Sequence, residues 1–212
     1  MPADAPGPPA SHPPADHGHY FDDDPQVSSA PTSVELTLPD LSVSLSTDRG
    51  VFSRDRIDPG TKLLLIDAPA LESPDGTLVD LGCGYGPIAV ALAHRAPRAQ
   101  IWAVDVNRRA VALAAANLAG HAGARAVHPD DVPSDLEVDE IWSNPPIRIG
   151  KPALHELLDT WHARLRPDGR MVLVVHRHLG ADSLHRWLES TGRPTTRVAS
   201  RMGYRLLEVR AE

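Results

Sequence analysis

From residue 77 onward, short apolar runs of strand length alternate with longer stretches carrying apolar residues at helical spacing, and this alternation leaves few folds open. Thr77 to Leu81 is a short apolar run ending in glycines and reads as a buried strand. Ile88 to Ala96 reads as a helix, with Pro87 tolerated in its first turn because the missing amide has no partner there. Ile101 to Val104 is the next strand. Asn107 can cap a helix that runs to Leu118 and ends at Gly120. Ala124 to His128 and Val138 to Trp142 follow as strands. Leu154, Leu157, Leu158, Trp161 and Leu165 then share one helical face, closed by Pro167-Asp168-Gly169. Met171 to Val175 is a strand, Leu184, Trp187 and Leu188 mark another helix, and Thr195 to Ala199 and Tyr204 to Val209 close the chain around a turn at Gly203. Seven strands with helices between them predict a Rossmann-like α/β fold: a mostly parallel sheet covered by helices on both faces. Such a sheet binds ligands beyond the carboxyl ends of its strands.

The segment before residue 77 is of another kind. Val34 to Leu38 and Leu41 to Leu45 alternate with period two around Pro39-Asp40, which predicts a β-hairpin. Gly50-Val51-Phe52-Ser53, Asp58-Pro59-Gly60 and a short helix over Leu63 to Ile66 follow. Residues 1–19 are rich in Pro, Ala, His and Asp, have nothing to bury and read as a disordered tail, with order expected from His19-Tyr20-Phe21. His12, His17 and His19 read as part of a solvated tail and no metal site is expected. The organisation predicted is a tail over 1–19 and one domain over 20–212, with a hairpin extension over about 30–70.

Net charge is −7, but residues 1–30 hold Asp4, Asp16, Asp22, Asp23 and Asp24 and no Lys or Arg. The remainder carries 23 acids against 21 bases, so charge neither supports nor opposes a nucleic-acid partner. No apolar run reaches membrane-spanning length and no secretory leader is recognisable. The single cysteine, Cys83, cannot form an internal disulfide, so a cytoplasmic setting without membrane partners is expected.

The first βα turn reads Val79-Asp80-Leu81-Gly82-Cys83-Gly84-Tyr85-Gly86, where glycine permits tight turning and close approach of a ligand. Acidic Asp105 ends the next strand, 23 residues after Gly82, where a carboxylate can accept both hydroxyls of an adenosine ribose. A dinucleotide fingerprint wants Gly or Ala at its sixth position, but that position is Pro87 and the third glycine comes one residue early, at Gly86. The pattern suits a ligand without a pyrophosphate. It resembles motif I of class I methyltransferases, which implies S-adenosylmethionine bound by Asp80 (near the methionine amino group), Gly82, Cys83, Gly84, Gly86, Asp105, Val106, Asn107 and Asn144. Cys83 has no base beside it in sequence and reads as a packing residue, not a nucleophile. Asp130 or Asp131, with Asp130 favoured, can accept from an adenine amino group; Pro129-Asp130-Asp131 is equally good turn chemistry.

Ser143-Asn144-Pro145-Pro146-Ile147 ends the fourth strand, and two prolines cannot continue a sheet, so the chain must leave it there. An exocyclic amine on a nucleobase is a poor nucleophile because its lone pair is delocalised into the ring. Acceptors from the Asn144 carbonyl and the Pro145 backbone carbonyl can take its two N–H groups, draw the nitrogen toward tetrahedral geometry and strengthen as positive charge builds on it.

Asp80 to Gly86, Asp105 and Asn144-Pro145-Pro146-Ile147-Arg148-Ile149-Gly150-Lys151 together resemble the small-subunit ribosomal RNA guanine-N2 methyltransferases and their single-domain relatives, over roughly residues 30–210. Gly50-Val51-Phe52-Ser53 resembles that family's upstream segment, which implies Phe52 in the cofactor pocket. The resemblance implies a seven-stranded sheet with an antiparallel last strand, an RNA substrate, and contacts to it from Pro146, Ile147, Arg148 and Lys151. Two departures matter: relatives with a second, degenerate domain have a part this chain lacks, and Ile147 stands where many amino-methylating enzymes place an aromatic. A protein glutamine or a small-molecule amine presents a similar nitrogen, and a non-catalytic cofactor-binding domain is the third reading.

Overall fold

The computed structural model describes residues 27–211. The expected tail over 1–19 and the start of order near His19 lie outside the described residues. The chain opens with strands β1 (Thr32–Thr37) and β2 (Ser42–Thr47), paired antiparallel as a two-stranded sheet of their own, with alternate residues such as Leu36 and Leu45 turned into the core. Helix α1 (Pro59–Asp67) follows. The main unit then alternates β3 (Thr77–Leu81), α2 (Pro87–Arg95), β4 (Gln100–Val104), α3 (Arg108–Asn117), β5 (Ala124–Val127), β6 (Val138–Ser143), α4 (Lys151–His162), β7 (Leu165–His176), α5 (Ala181–Ser190), β8 (Thr195–Arg201) and β9 (Tyr204–Arg210).

The seven strands lie in the order β5-β4-β3-β6-β7-β9-β8. The first five run parallel, and β9 lies antiparallel to both β7 and β8. Order reverses between β4-β3 and β6, which creates a switch-point crevice at the carboxyl ends of β3 and β6. Side chains divide between two apolar layers. Leu78 of β3 packs with α1, α2, α3 and the hairpin, while Val79 and Leu81 pack with α4 and α5. Strands buried on both faces explain why β3 and β6 read as nearly continuous apolar runs.

Two elements differ from the sequence reading. Helix α1 begins at Pro59, several residues before the expected Leu63, because the Asp58 carboxylate accepts from the Gly60 and Thr61 amides at 2.8 and 3.1 Å and caps it. Pro167-Asp168-Gly169 does not close α4, which stops at His162; the tripeptide is an irregularity within β7. Between the pairs Val138–Leu165 and Glu140–Arg170, β7 advances five residues while β6 advances two, with Asp168 at φ +66°. Leu165, expected on the helical face, is therefore a strand residue.

Two polar clamps lie outside the apolar layers. Asn117 at the end of α3 fastens the hairpin: its Oδ1 accepts from the Ser46 amide at 2.8 Å and its Nδ2 donates to the Ser46 carbonyl at 2.9 Å. Arg170, buried at the amino-terminal end of the parallel strands, pairs with Glu140, Glu208 and Glu72 at 2.8, 2.9 and 3.1 Å. Among the described residues no helix is long and apolar enough to cross a membrane.

Candidate functional site

The glycine loop is built from three backbone conformations that L side chains rarely adopt, with Gly82, Gly84 and Gly86 at φ +73°, +55° and +88°. Their surroundings differ. A Cβ on Gly84 would meet nothing within 4 Å, so this residue faces open space. A Cβ on Gly86 would come within 3.2 Å of the Ala114 side chain, so Gly86 lets α2 lie close to α3. Gly82 faces Pro146, whose Cδ would be 3.7 Å from an added Cβ. The Gly82 and Cys83 amides both donate to the Val104 carbonyl, at 2.8 and 3.0 Å, which locks the loop onto the end of β4.

Asp105 accepts the Gly84 amide on Oδ2 at 2.8 Å and the Asn107 amide on Oδ1 at 2.9 Å. Burial pushes its carboxyl above the ordinary range, against the pull of these amides. The carboxylate retains acceptor capacity for a ligand hydroxyl. Asn107 caps α3 by accepting from the Arg109 and Ala110 amides, and donates to the Gly50 carbonyl at 2.7 Å. That last bond fixes the segment bearing Phe52, which stands 46% exposed at the mouth of the crevice.

Asp80 lies beneath the loop. Its Oδ2 accepts from the Ala89 amide at 2.9 Å, while its Oδ1 is buried without a partner among the described residues. Burial raises its pKa to about 8. An unpaired buried carboxylate oxygen suits a nearby cationic ligand group. Cys83 is buried beside Tyr85 and Ser53 around a small adjoining recess, and burial pushes its thiol well up, away from thiolate chemistry.

On the other side of the crevice, Ser143 donates to the Leu81 carbonyl at 2.6 Å and ties the end of β6 to β3. The chain then turns out of the sheet tightly, the Ile147 amide donating to the Pro145 carbonyl at 2.8 Å with Pro146 at φ −74° and ψ 69°. The Pro145 carbonyl thus already has one donor and retains one lone pair. The Asn144 Nδ2 donates to Asp58 Oδ2 at 2.8 Å and to Thr61 Oγ1 at 3.0 Å. A carboxylate can only accept, so the nitrogen is the atom on that side and Oδ1 is the acceptor the side chain has left to offer.

These groups border a cleft of about 770 Å³. The loops after β3, β4 and β5 contribute Gly82, Gly84, Asp105, Val106, Asn107 and Pro129; the segment after β6 contributes Asn144, Pro145, Pro146, Ile147 and Arg148. Trp161 of α4, His176 of β7 and Tyr204 of β9 complete the wall. The structure does not bring every expected residue to it. Asp80 lies behind the wall. Of the turn Pro129–Asp131 only Pro129 faces the cleft; Asp130 is largely exposed, its Oδ2 3.3 Å from His128 Nδ1. Lys151 is exposed at the start of α4, donating to Ser183 Oγ at 3.3 Å, off the cleft wall. No cluster of metal-ligating side chains occurs among the described residues.

Sequence reasoning missed Asp58, Thr61, His176, Trp161 and Tyr204. Asp58-Pro59 carried a legible helix-start signal, a capping acid before proline. Its bond to a residue 86 positions away carried none.

The donors and spaces fit an adenosine-bearing cofactor of modest size: a carboxylate with free lone pairs, open space over Gly84, exposed apolar Val106 and Phe52, and an unpaired buried oxygen on Asp80. Comparison with known proteins agrees. The family model described as "Methyltransferase small domain" matches residues 42–208. The uncharacterized protein YbxB of Bacillus subtilis is 30% identical over 197 residues, covering 91% of this chain and 98% of that protein. Ribosomal RNA small subunit methyltransferase C of Shewanella sp. (strain MR-4) is 31% identical over 160 residues, 73% of this chain and 46% of that enzyme. This chain thus spans about half the length of such relatives. The T. thermophilus 16S rRNA N2 G1207 methyltransferase, solved in complex with AdoMet and guanosine, superposes with a TM-score of 0.73 at 25% identity, over 89% of this chain and 52% of that one. A TehB-like methyltransferase from Corynebacterium glutamicum, at a TM-score of 0.56 and 22% identity over 73% of this chain and 89% of that one, shares the fold. With the family model spanning most of its length and YbxB matching nearly end to end, the chain belongs to the methyltransferase small domain family.

Proposed function

We propose that this chain is an S-adenosylmethionine-dependent N-methyltransferase whose acceptor is an exocyclic amino group, the N2 amine of a guanine in ribosomal RNA. The observation that carries this reading is the Asn144 amide, held by Asp58 and Thr61 with its carbonyl left available beside the glycine loop. The relative solved with AdoMet and guanosine, at 25% identity, supports the cofactor and the base.

In this reading Asp105 takes the ribose hydroxyls, Gly82 and Gly84 give the ligand access to backbone, and Val106, Pro129 and Phe52 cover the adenine. Asp80 Oδ1, buried without a protein partner beneath the loop, is the acceptor for the methionine amino group, whose positive charge favours the ionised carboxyl. When bound, S-adenosylmethionine supplies an electrophilic methyl group. The Asn144 carbonyl and the remaining lone pair of the Pro145 carbonyl accept the two N–H groups of the amine, concentrating its lone pair on nitrogen. As positive charge builds there these hydrogen bonds strengthen, which is selective stabilisation of the transition state. The methylated nitrogen is acidic and passes its proton to water, so no strong base is needed. Ile147 presses on the base by apolar contact, and Trp161, His176 and Tyr204 supply the aromatic surface that Ile147 lacks. Arg148 on the wall and exposed Lys151 suit phosphates flanking an unstacked nucleotide.

Incubation with methyl-labelled S-adenosylmethionine and total RNA, followed by mass spectrometry of nucleosides, tests the reading. N2-methylguanosine is the expected product. Label appearing only on a protein glutamine or a small amine would replace the RNA assignment, and no transfer to any acceptor would remove the catalytic one.

A further inference from the structure

We propose that Asp58 and Thr61 are positioning residues that set the direction of the Asn144 amide and, through the charge on Asp58, make its carbonyl a stronger acceptor. The inference rests on the reading of Asn144 as the group that receives the amine. An asparagine side chain has nearly the same shape with its oxygen and nitrogen exchanged, and its terminal torsion is soft, so hydrogen bonds alone decide which atom faces a ligand. Exchanged, Asn144 would present N–H groups to the N–H groups of the amine and repel it. Two acceptors on one side prevent this. Asp58 Oδ2, which cannot donate, takes Nδ2 at 2.8 Å, and Thr61 Oγ1 takes it at 3.0 Å.

Asp58 caps α1, Thr61 lies in its first turn, and both are themselves fixed. Asp58 Oδ2 also holds the Gly60 and Thr61 amides, and Thr61 is 4% exposed. The turn is backed by Tyr204, whose Cε1 would lie 2.6 Å from a Cβ at Gly60, so nothing larger than glycine fits between them. A carboxylate accepting from Nδ2 draws the amide electrons toward Oδ1, and such polarisation strengthens successive hydrogen bonds in a chain. Positive charge growing on the amine then meets an acceptor with a full negative charge behind it.

The test uses the full chain with S-adenosylmethionine and small-subunit ribosomal RNA, in variants Asp58→Asn, Thr61→Val, Thr61→Ser and Asn144→Ala. Asp58→Asn keeps a helix-capping oxygen and removes the charge. It is expected to lower kcat by about tenfold or more at nearly unchanged KM, the difference between a charged and a neutral hydrogen bond. Thr61→Val should lower kcat severalfold, and Thr61→Ser should restore it. Neither Asp58→Asn nor Thr61→Val should lower kcat further when added to Asn144→Ala, because they act through that amide. Wild-type kcat in Asp58→Asn and Thr61→Val, or full additivity with Asn144→Ala, would overturn the proposal. A second readout needs no substrate: the Asn144 side-chain amide resonances, assigned by their loss in Asn144→Ala, should move in both Asp58→Asn and Thr61→Val. Resonances that stay in place overturn it equally. If Asn144→Ala itself keeps full turnover, the reading of the site fails; if Asn144→Ala is inactive while the Asp58 and Thr61 variants are wild type, only the positioning proposal fails.

Discussion

Replacing Glu140 with alanine should be among the most damaging single changes in the protein, although Glu140 lies at the end of the sheet away from the cleft. Its side chain and that of Arg170 are each 1% exposed. Glu140 Oε1 accepts the Glu72 and Ser73 amides, at 2.7 and 2.9 Å, and Oε2 accepts Trp142 Nε1 and the Nε and Nη2 of Arg170. Truncation strands the buried Trp142 and Arg170 donors and leaves the part-exposed Glu72 and Ser73 amides without their acceptor. Removing one partner of a buried ion pair costs about 3–5 kcal/mol. Glu72 and Glu208 still reach Arg170 Nη1, at 3.1 and 2.9 Å, so the lower part of that range applies. For a domain of this size about 3 kcal/mol corresponds to a fall in Tm of roughly 6–12 °C. Glu140→Gln keeps the shape but sets an NH2 group against either the Glu72 and Ser73 amides or the Trp142 and Arg170 donors, and removes the charge facing Arg170, so it should not restore the loss. Urea titration and thermal melting of both variants measure these losses. A loss below about 1 kcal/mol for Glu140→Ala would mean that water or a rearranged Glu72 replaces the lost oxygens, and the argument from stranded donors would be wrong.

Three further outcomes follow from the site. Burial raises Asp80 to about 8, while an unfolded chain titrates it near 4, so the folded protein holds a proton that the unfolded chain gives up. The associated stability is complete below about pH 4 and is lost as pH rises through about 8; Asp80→Asn, lacking this slope, should therefore gain in unfolding free energy relative to wild type between pH 5 and 8, by at most about 1.4 kcal/mol per pH unit, and a constant difference across that range in urea titrations would contradict the burial argument. Asp105→Ala should weaken S-adenosylmethionine binding by about 1–3 kcal/mol in calorimetry, and an unchanged Kd in a folded variant would remove Asp105 from the ligand's contacts. Gly86→Ala should destabilise by about 1–2 kcal/mol from its left-handed φ of +88°, and by more because its Cβ would crowd Ala114; a melting curve identical to wild type would refute the close packing of α2 on α3.

The sequence made the sheet legible because the parallel strands are buried on both faces and helices intervene at regular spacing. Topology then sent the loops after β3, β4 and β6 to one crevice. What escaped depended on contacts distant in sequence or on backbone irregularity. Pro167-Asp168-Gly169 is a good helix terminator by composition, yet the chain uses it to step out of register within a strand. Asp130 and Asp131 have the right chemistry for an adenine amine, but no sequence signal tells which side of a tight turn faces the ligand. Asp58 announced a helix start, and its second task at Asn144 arises only when α1 is laid beside β6. Tyr204, at the start of the last strand, reaches the cleft because β9 runs antiparallel beside β7, opposite His176.

Asn107 and Asn117 give the hairpin a role in how the protein holds itself together in use. The cleft wall draws on positions from Val51 to Tyr204, and the segment carrying Phe52 is held by a bond from Asn107, with the hairpin before it clipped to α3 by Asn117. Few of those wall positions are neighbours in the chain, so a half-folded intermediate offers only fragments of a binding site. Ligand therefore rewards only the finished fold, and by mass action it adds about 2.7 kcal/mol of stability when present at a hundred times its Kd. The saturated protein should accordingly open less often to proteases than the empty one, and the supply of its ligand would govern its lifetime as well as its rate.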